Sequence, residues 1–197
     1  MSTALLIVDV QNDFTEGGAL GVDGGNRVAA GITRLLHERG TADVGGYALV
    51  AASRDWHNAE GNNGGHFADP GTAPDFVTSW PRHCVAGTPG AAYHEAIDLD
   101  RIDVHLRKGQ GVPDYSAFQG VDPTGRGLAE TLANAGITAL DVVGIATDYC
   151  VRASALDALA AGLRVRVLTD LVAGVATESS VAALKELAAA GVEIRES

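Results

Sequence analysis

The chain has 197 residues, 46% of them hydrophobic and 20% charged, with 14 basic against 25 acidic side chains for a net charge of −11. The composition is globular, and an acidic balance without any basic cluster argues against a nucleic-acid partner, because phosphate binding needs clustered Lys and Arg. No apolar run is long enough to span a bilayer, and two cysteines are too few for a disulfide framework, so a cytoplasmic protein with free thiols is expected.

Taken in chain order, short β-rich runs alternate with helical periodicity. The segment 4–8 lacks a basic region before its apolar stretch and ends at Asp9, which reads as a first strand and not a signal peptide. Val28, Ile32, Leu35 and Leu36 then fall on one helical face, which Gly40 should end. A strand is expected at 47–53, another at 104–107, and a third at 139–145. A helical face with Leu128 and Leu132, closed by Gly136, precedes the last of these. Val151, Ala155 and Leu159 share the next face, up to Gly162. A strand at 164–168, a helix carrying Val181, Leu184 and Ala188 up to Gly191, and a short strand at 192–194 complete the series. Such alternation implies a three-layer α/β/α domain on a mainly parallel sheet. Only 58–89 breaks the rhythm. It is rich in Gly, Asn and Pro, and its Phe67, Phe76, Trp80 and histidines point to a functional loop insertion in a single domain spanning 1–197.

In a doubly wound sheet, ligands bind beyond the carboxyl ends of the strands. Asp9 ends the first strand, Asp55 and His57 follow the second, Lys108 follows the third, and Cys150 comes shortly after the fourth. Lys108 is one of only two lysines in a chain that otherwise uses Arg. A compact ammonium there suggests a site that a guanidinium would not fit. Cys150 sits where a strand turns into a helix, so its thiol lies near the positive end of the helix dipole, an arrangement expected to favour thiolate. Taken alone, each residue has a plainer reading: a small buried thiol, a strand-end cap, a solvated cation. Their convergence on one sheet edge makes an Asp–Lys–Cys set chemically sensible. Cys84 directly follows His83, and adjacent side chains of an extended segment point opposite ways, so it is read as structural. Asp55 and His57 lie at i and i+2, with His66 and His83 in the loop beyond. One carboxylate with two or three imidazoles suits a single divalent ion, Zn, Fe or Mn. His37, His94 and His105 look unremarkable.

Six motifs in order resemble one family: Ile7-Val8-Asp9-Val10-Gln11-Asn12-Asp13-Phe14, Ser53-Arg54-Asp55-Trp56-His57, Trp80-Pro81-Arg82-His83-Cys84-Val85-Ala86-Gly87-Thr88, Arg107-Lys108-Gly109, Asp114-Tyr115-Ser116-Ala117-Phe118, and Val143-Gly144-Ile145-Ala146-Thr147-Asp148-Tyr149-Cys150-Val151. The chain is similar over nearly its whole length to the nicotinamidases, or pyrazinamidases, of the isochorismatase-like cysteine hydrolase superfamily. That resemblance implies a six-stranded parallel sheet, an Asp9–Lys108–Cys150 triad, and a cis Ile145–Ala146 peptide that aims the N–H groups of Ala146 and Cys150 at an oxyanion. It further implies Asp55, His57 and His83 as metal ligands, with His66 as the candidate for a fourth. Phe14, Trp80, Tyr115 and Ile145 would line the substrate slot. Two positions depart from the family pattern. The 58–65 segment ahead of His66 is long, and Tyr149 stands where a histidine is often found.

The expected activity is hydrolysis of nicotinamide to nicotinate and ammonia through a thioester on Cys150, feeding NAD salvage. The alternatives are the same fold and triad acting on another small amide or carbamoyl compound, a metal hydrolase in which Cys150 is incidental, and an inactive binding module. The oligomeric state stays open, a homo-oligomer included.

Overall fold

The computed structural model describes residues 2–39 and 46–197, so the helix stop expected at Gly40 lies outside the described residues. Six strands form one sheet in the order β3-β2-β1-β4-β5-β6: β1 (Thr3–Val8), β2 (Leu49–Asp55), β3 (Val104–Lys108), β4 (Ala139–Ile145), β5 (Arg164–Ala173) and β6 (Glu193–Arg195). Every pairing is parallel. The central strand β4 is buried at every position, as a strand covered on both faces must be.

Strand alternation sends Leu5 and Ile7 to one face of β1 and Ala4, Leu6 and Val8 to the other, and a separate core forms on each side. Helix α1 (Gly25–Arg39) buries Val28, Ile32, Leu35 and Leu36 on the first side, together with Ala91, Tyr93, Ile97 and Ile102 from the long β2–β3 connection. The other side is filled from α2 (Leu128–Asn134), α3 (Arg152–Ala160) and α4 (Thr177–Ala190), with Leu128, Leu132, Ala155, Ala158 and Leu187. The α/β/α expectation therefore holds, with one helix opposite three among the described residues.

Strand ends differ from the sequence reading in ways that matter for the site. β2 runs on to Asp55 and β3 to Lys108, because Arg54 pairs with Arg107 and Asp55 with Lys108 in register. Charged side chains end an apolar run in the sequence, but backbone pairing does not stop where hydrophobicity does. β5 continues to Ala173 past a register shift opposite Val142 and Gly144. At Gly144 (φ 115°) a Cβ would sit 2.1 Å from the Val8 carbonyl oxygen, so only glycine lets β1 and β4 close together there.

Candidate active site

The strand order reverses between β1 and β4, and the crevice at such a switch point is where ligands bind in this sheet architecture. Asp9 leaves β1 with φ +49°, an uncommon conformation for a non-glycine residue. Its N–H reaches the Ser53 carbonyl (3.2 Å), and its Oδ1 accepts the Ser53 hydroxyl proton (2.7 Å). The Ile145–Ala146 peptide after β4 is cis, and a single π-helical turn, Thr147–Val151, leads into α3. In that turn the Ala146 carbonyl accepts from Tyr149 N–H (3.1 Å) and Val151 N–H (3.0 Å), passing over the N–H of Cys150.

Lys108 is fully buried and sits at the centre of the polar cluster. Its Nζ is 2.9 Å from Asp9 Oδ2, hydrogen-bonds to Asp55 Oδ1, lies 3.6 Å from Cys150 Sγ and reaches the Asp114 carbonyl at 3.3 Å. Ligand atoms of Asp9, Asp55 and Cys150 lie within 4.8 Å of one another. That trio resembles a metal site in donor type, but the Lys108 ammonium already supplies its positive charge. Burial alone would lower the Lys108 pKa, yet Asp55, Asp9 and Cys150 outweigh it and hold the ammonium well above its usual range. Burial pushes Asp9 up against the pull of Lys108, with the Asp55 carboxylate adding to the rise. Asp55 moves the other way: burial is outweighed by the Lys108 ammonium beside it, which keeps it well below the usual carboxylate range.

Cys150 is pulled in two directions. Burial raises its thiol well above the ordinary value, Lys108 only partly offsets this, and the carboxylates of Asp9 and Asp55 reinforce it. The helix dipole and the ammonium favour thiolate, while burial and the two carboxylates oppose it and hold the thiol above its ordinary value. Cys84 is also buried and raised, first by burial and then by Asp55, Asp13 and Asp9. Its φ is +46°, its N–H donates to Asp13 Oδ2 (2.7 Å) and its carbonyl accepts from His57 N–H (3.0 Å). Those bonds hold the loop that carries His83.

Beside the Asp9–Lys108–Cys150 cluster, Asp55, His57, His66 and His83 are all buried, with one ligand atom from each within 4.8 Å of the others. His66, despite the long 58–65 segment before it, is brought fully into the group. The Nδ1 atoms of His57 and His83 lie 2.8 Å from the Gly109 carbonyl and 2.7 Å from the Pro81 carbonyl. A carbonyl can only accept, so each Nδ1 carries the proton and each Nε2 presents a lone pair to the centre. His57 Nε2 has no hydrogen-bond partner among the described residues, and the Nε2 atoms of His66 and His83 face each other at 3.4 Å. Inward lone pairs from neutral imidazoles and one ionised carboxylate fit a divalent cation, and leave buried polar atoms unexplained without one. Burial, then the neighbouring His57, lowers His66 to about 3, which keeps it neutral for that purpose. Gly109 (φ +81°) is required here, since a Cβ would meet the His57 ring at 2.6 Å.

These two clusters open into one cleft of about 380 Å³, its mouth included. Phe14 and Trp80 stand in its wall together with His66, His83, Ala146 and Cys150. Trp80 Nε1 donates to the Tyr115 hydroxyl (3.0 Å), and Tyr149 packs edge-on to Trp80 (4.9 Å) and stacks on Tyr115 (5.9 Å). Ile145 is not brought to the cleft: its side chain is fully buried in the core on the α1 side, and Ala146 forms the wall instead. Tyr149, the departure whose effect on the pocket wall the sequence left open, lines the cleft, as do Leu20, Val22 and Val175, to which no pocket role was assigned. The sequence reading also passed over Ser53. A signal for that residue existed, because Ser53, Asp55 and His57 alternate at i, i+2 and i+4 along an extended chain.

An isochorismatase domain profile matches residues 3–197. The chain is 48% identical over 191 residues to the nicotinamidase/pyrazinamidase of Mycobacterium tuberculosis, covering 97% of each. Among solved structures it is similar to the pyrazinamidase of Pyrococcus horikoshii in complex with zinc, with a TM-score of 0.81 and 36% identity over the full length of both chains. It is also similar to an L. infantum protein in complex with nicotinate, with a TM-score of 0.82 and 33% identity over 99% of this chain and 92% of that one.

Proposed function

The chain belongs to the isochorismatase family, and from that membership and the cleft it carries we propose that it hydrolyses nicotinamide and pyrazinamide-like aromatic amides to the acid and ammonia. The whole chain acts as one unit, 58–89 supplying metal and substrate contacts, in the cytoplasm and in the service of NAD salvage. The single observation that carries the reading is the opening of two clusters into one narrow aromatic cleft: a thiol beside a carboxylate and an ammonium, and a carboxylate with three imidazoles.

Asp55, His57, His66 and His83 would hold one divalent ion, Zn, Fe or Mn, which when bound supplies a Lewis-acidic partner for the ring nitrogen, directly or through water. The ring lies against Phe14 and Trp80, with Tyr115 fixed by its bond to Trp80, so that the carboxamide carbon meets Cys150 Sγ. Asp9, raised by burial, accepts the thiol proton on Oδ2, and the electron pair left on sulfur attacks the carbonyl carbon. Lys108 balances the negative charge at Asp9 and sulfur throughout. The N–H groups of Ala146 and Cys150 receive the developing oxyanion. Asp9 then returns its proton to the leaving nitrogen, and a water activated by the same carboxylate cleaves the thioester.

The test is ammonia release by zinc-loaded protein from nicotinamide and from benzamide, which lacks the ring nitrogen, before and after chelation. Nicotinamide should turn over, benzamide at least about 10-fold more slowly, and chelation should abolish most of the difference. Unchanged nicotinamide hydrolysis after chelation removes the four ligands from their role, and no ammonia from nicotinamide removes the activity.

A further inference from the structure

Asp9 is fully buried, and its two carboxylate oxygens face different partners. Oδ1 accepts the hydroxyl proton of Ser53, itself fully buried, at 2.7 Å. Oδ2 lies 2.9 Å from Lys108 Nζ yet makes no well-directed hydrogen bond among the described residues. The backbone of residue 53 holds the same aspartate again, through the Asp9 N–H. The Ser53 hydroxyl donates to Oδ1 and engages that oxygen as an acceptor, while Oδ2 is the oxygen beside Lys108, whose Nζ also lies 3.6 Å from Cys150 Sγ.

We infer that Ser53 is a positioning residue that assigns the transferable proton of the reaction to Asp9 Oδ2. The inference rests on the proposed amide hydrolysis. In the forward step the S–H bond of Cys150 breaks, its proton goes to Oδ2, and the sulfur electron pair forms the bond to the carbonyl carbon. When the C–N bond breaks, the Oδ2 proton goes to the departing nitrogen and ammonia leaves. Without the Ser53 hydroxyl, both oxygens compete for the proton and the carboxyl plane is free to turn, so part of the population holds the proton on the oxygen away from the substrate. An amide nitrogen cannot leave unprotonated, whereas a thiolate can. The loss should therefore weigh on amides more than on thioesters, a difference that general loosening of the fold would not produce.

The experiment measures kcat/KM of zinc-loaded Ser53→Ala and Ser53→Thr on nicotinamide and on the S-ethyl thioester of nicotinic acid, beside the wild type and Cys150→Ala. Ser53→Ala should lose about 10- to 100-fold on the amide, within the range of general acid–base effects, and less than about 5-fold on the thioester. Ser53→Thr, which keeps the hydroxyl, should bring the amide-to-thioester ratio back to within about 3-fold of the wild type. Equal losses on the two substrates, no loss, or a Thr ratio no better than that of Ala would overturn the assignment. Activity surviving in Cys150→Ala would instead sink the thioester reading on which it depends.

Discussion

The Lys108 ammonium faces two buried carboxylates and a buried thiol, so its loss is not a change of catalysis alone. Removing one partner of a buried ion cluster leaves uncompensated charge, typically about 3–5 kcal/mol of stability. Lys108→Met should therefore lose turnover and denaturant stability together, and a variant with normal urea stability would contradict the described contacts. Asp9→Asn removes a charge that burial already opposes, so it should keep the fold and lose turnover by about 10²-fold or more. These residues were legible in the sequence because strand ends and motif order placed them on one edge. Ser53 and Tyr149 were not assigned, for different reasons. A serine in a strand carries no chemistry until its partner is known, and the Tyr149 ring gains meaning only from Trp80 and Tyr115, which lie far from it in sequence. The dipole and the cation that act on Cys150 are visible in sequence order, while its burial and the Asp55 carboxylate beside it appear only on folding.

Between elements, the site depends on how closely β1 and β4 approach. Gly144→Ala puts a methyl group on the Val8 carbonyl and forces a side chain into φ 115°, so it should cost about 3 kcal/mol or more in thermal or urea unfolding. A variant as stable as the wild type would mean that the two strands are not locked at this point. The six strands and the faces of α1 and α2 were readable from periodicity, but α4 turns Ala183 and Leu187 inward while Val181 and Ala188, expected on its buried face, are exposed. The ends of β2 and β3 were not readable, because Arg54, Asp55 and Lys108 interrupt hydrophobicity while the ladder continues. Those last pairs set Asp55 beside Lys108 and so join the Asp9–Lys108–Cys150 cluster to the histidines. His66 was the least certain ligand for a similar reason. Its position is fixed by loop bonds, with Trp80 N–H on its carbonyl and its own N–H on Asn63, and not by any repeat in the sequence.

For the molecule as a whole, a cation that binds only the folded cluster adds to global stability by mass action. Zinc at about 100 times its dissociation constant should raise the melting temperature by about 5–10 °C, the scale expected for a chain of this length. His66→Ala should blunt that shift, and an equal shift in the variant would remove His66 from the ligand set. Far from the cleft, Tyr47 donates to Asp141 (2.8 Å), which also takes two bonds from Arg166. Burial, then the Asp141 carboxylate, pushes the phenol well above its usual range. The folded state thus keeps a proton that the unfolded chain releases near pH 10, so this stabilisation is present below pH 10 and lost as pH rises beyond it. Tyr47→Phe should show a shallower loss of stability between about pH 9 and 11 in urea titrations, and an unchanged slope would contradict the pairing. Among the described residues no helix is long and apolar enough to cross a membrane. The central claim is that Cys150 performs the chemistry while the histidine cluster orients the ring. The measurement that tests it most directly is ammonia release from nicotinamide by Cys150→Ala with its zinc content checked. The expected result is full metal occupancy with turnover reduced by at least about 10³-fold, the scale for loss of a covalent nucleophile; a zinc-loaded variant within about 10-fold of the wild type would show that the thiol is not the nucleophile.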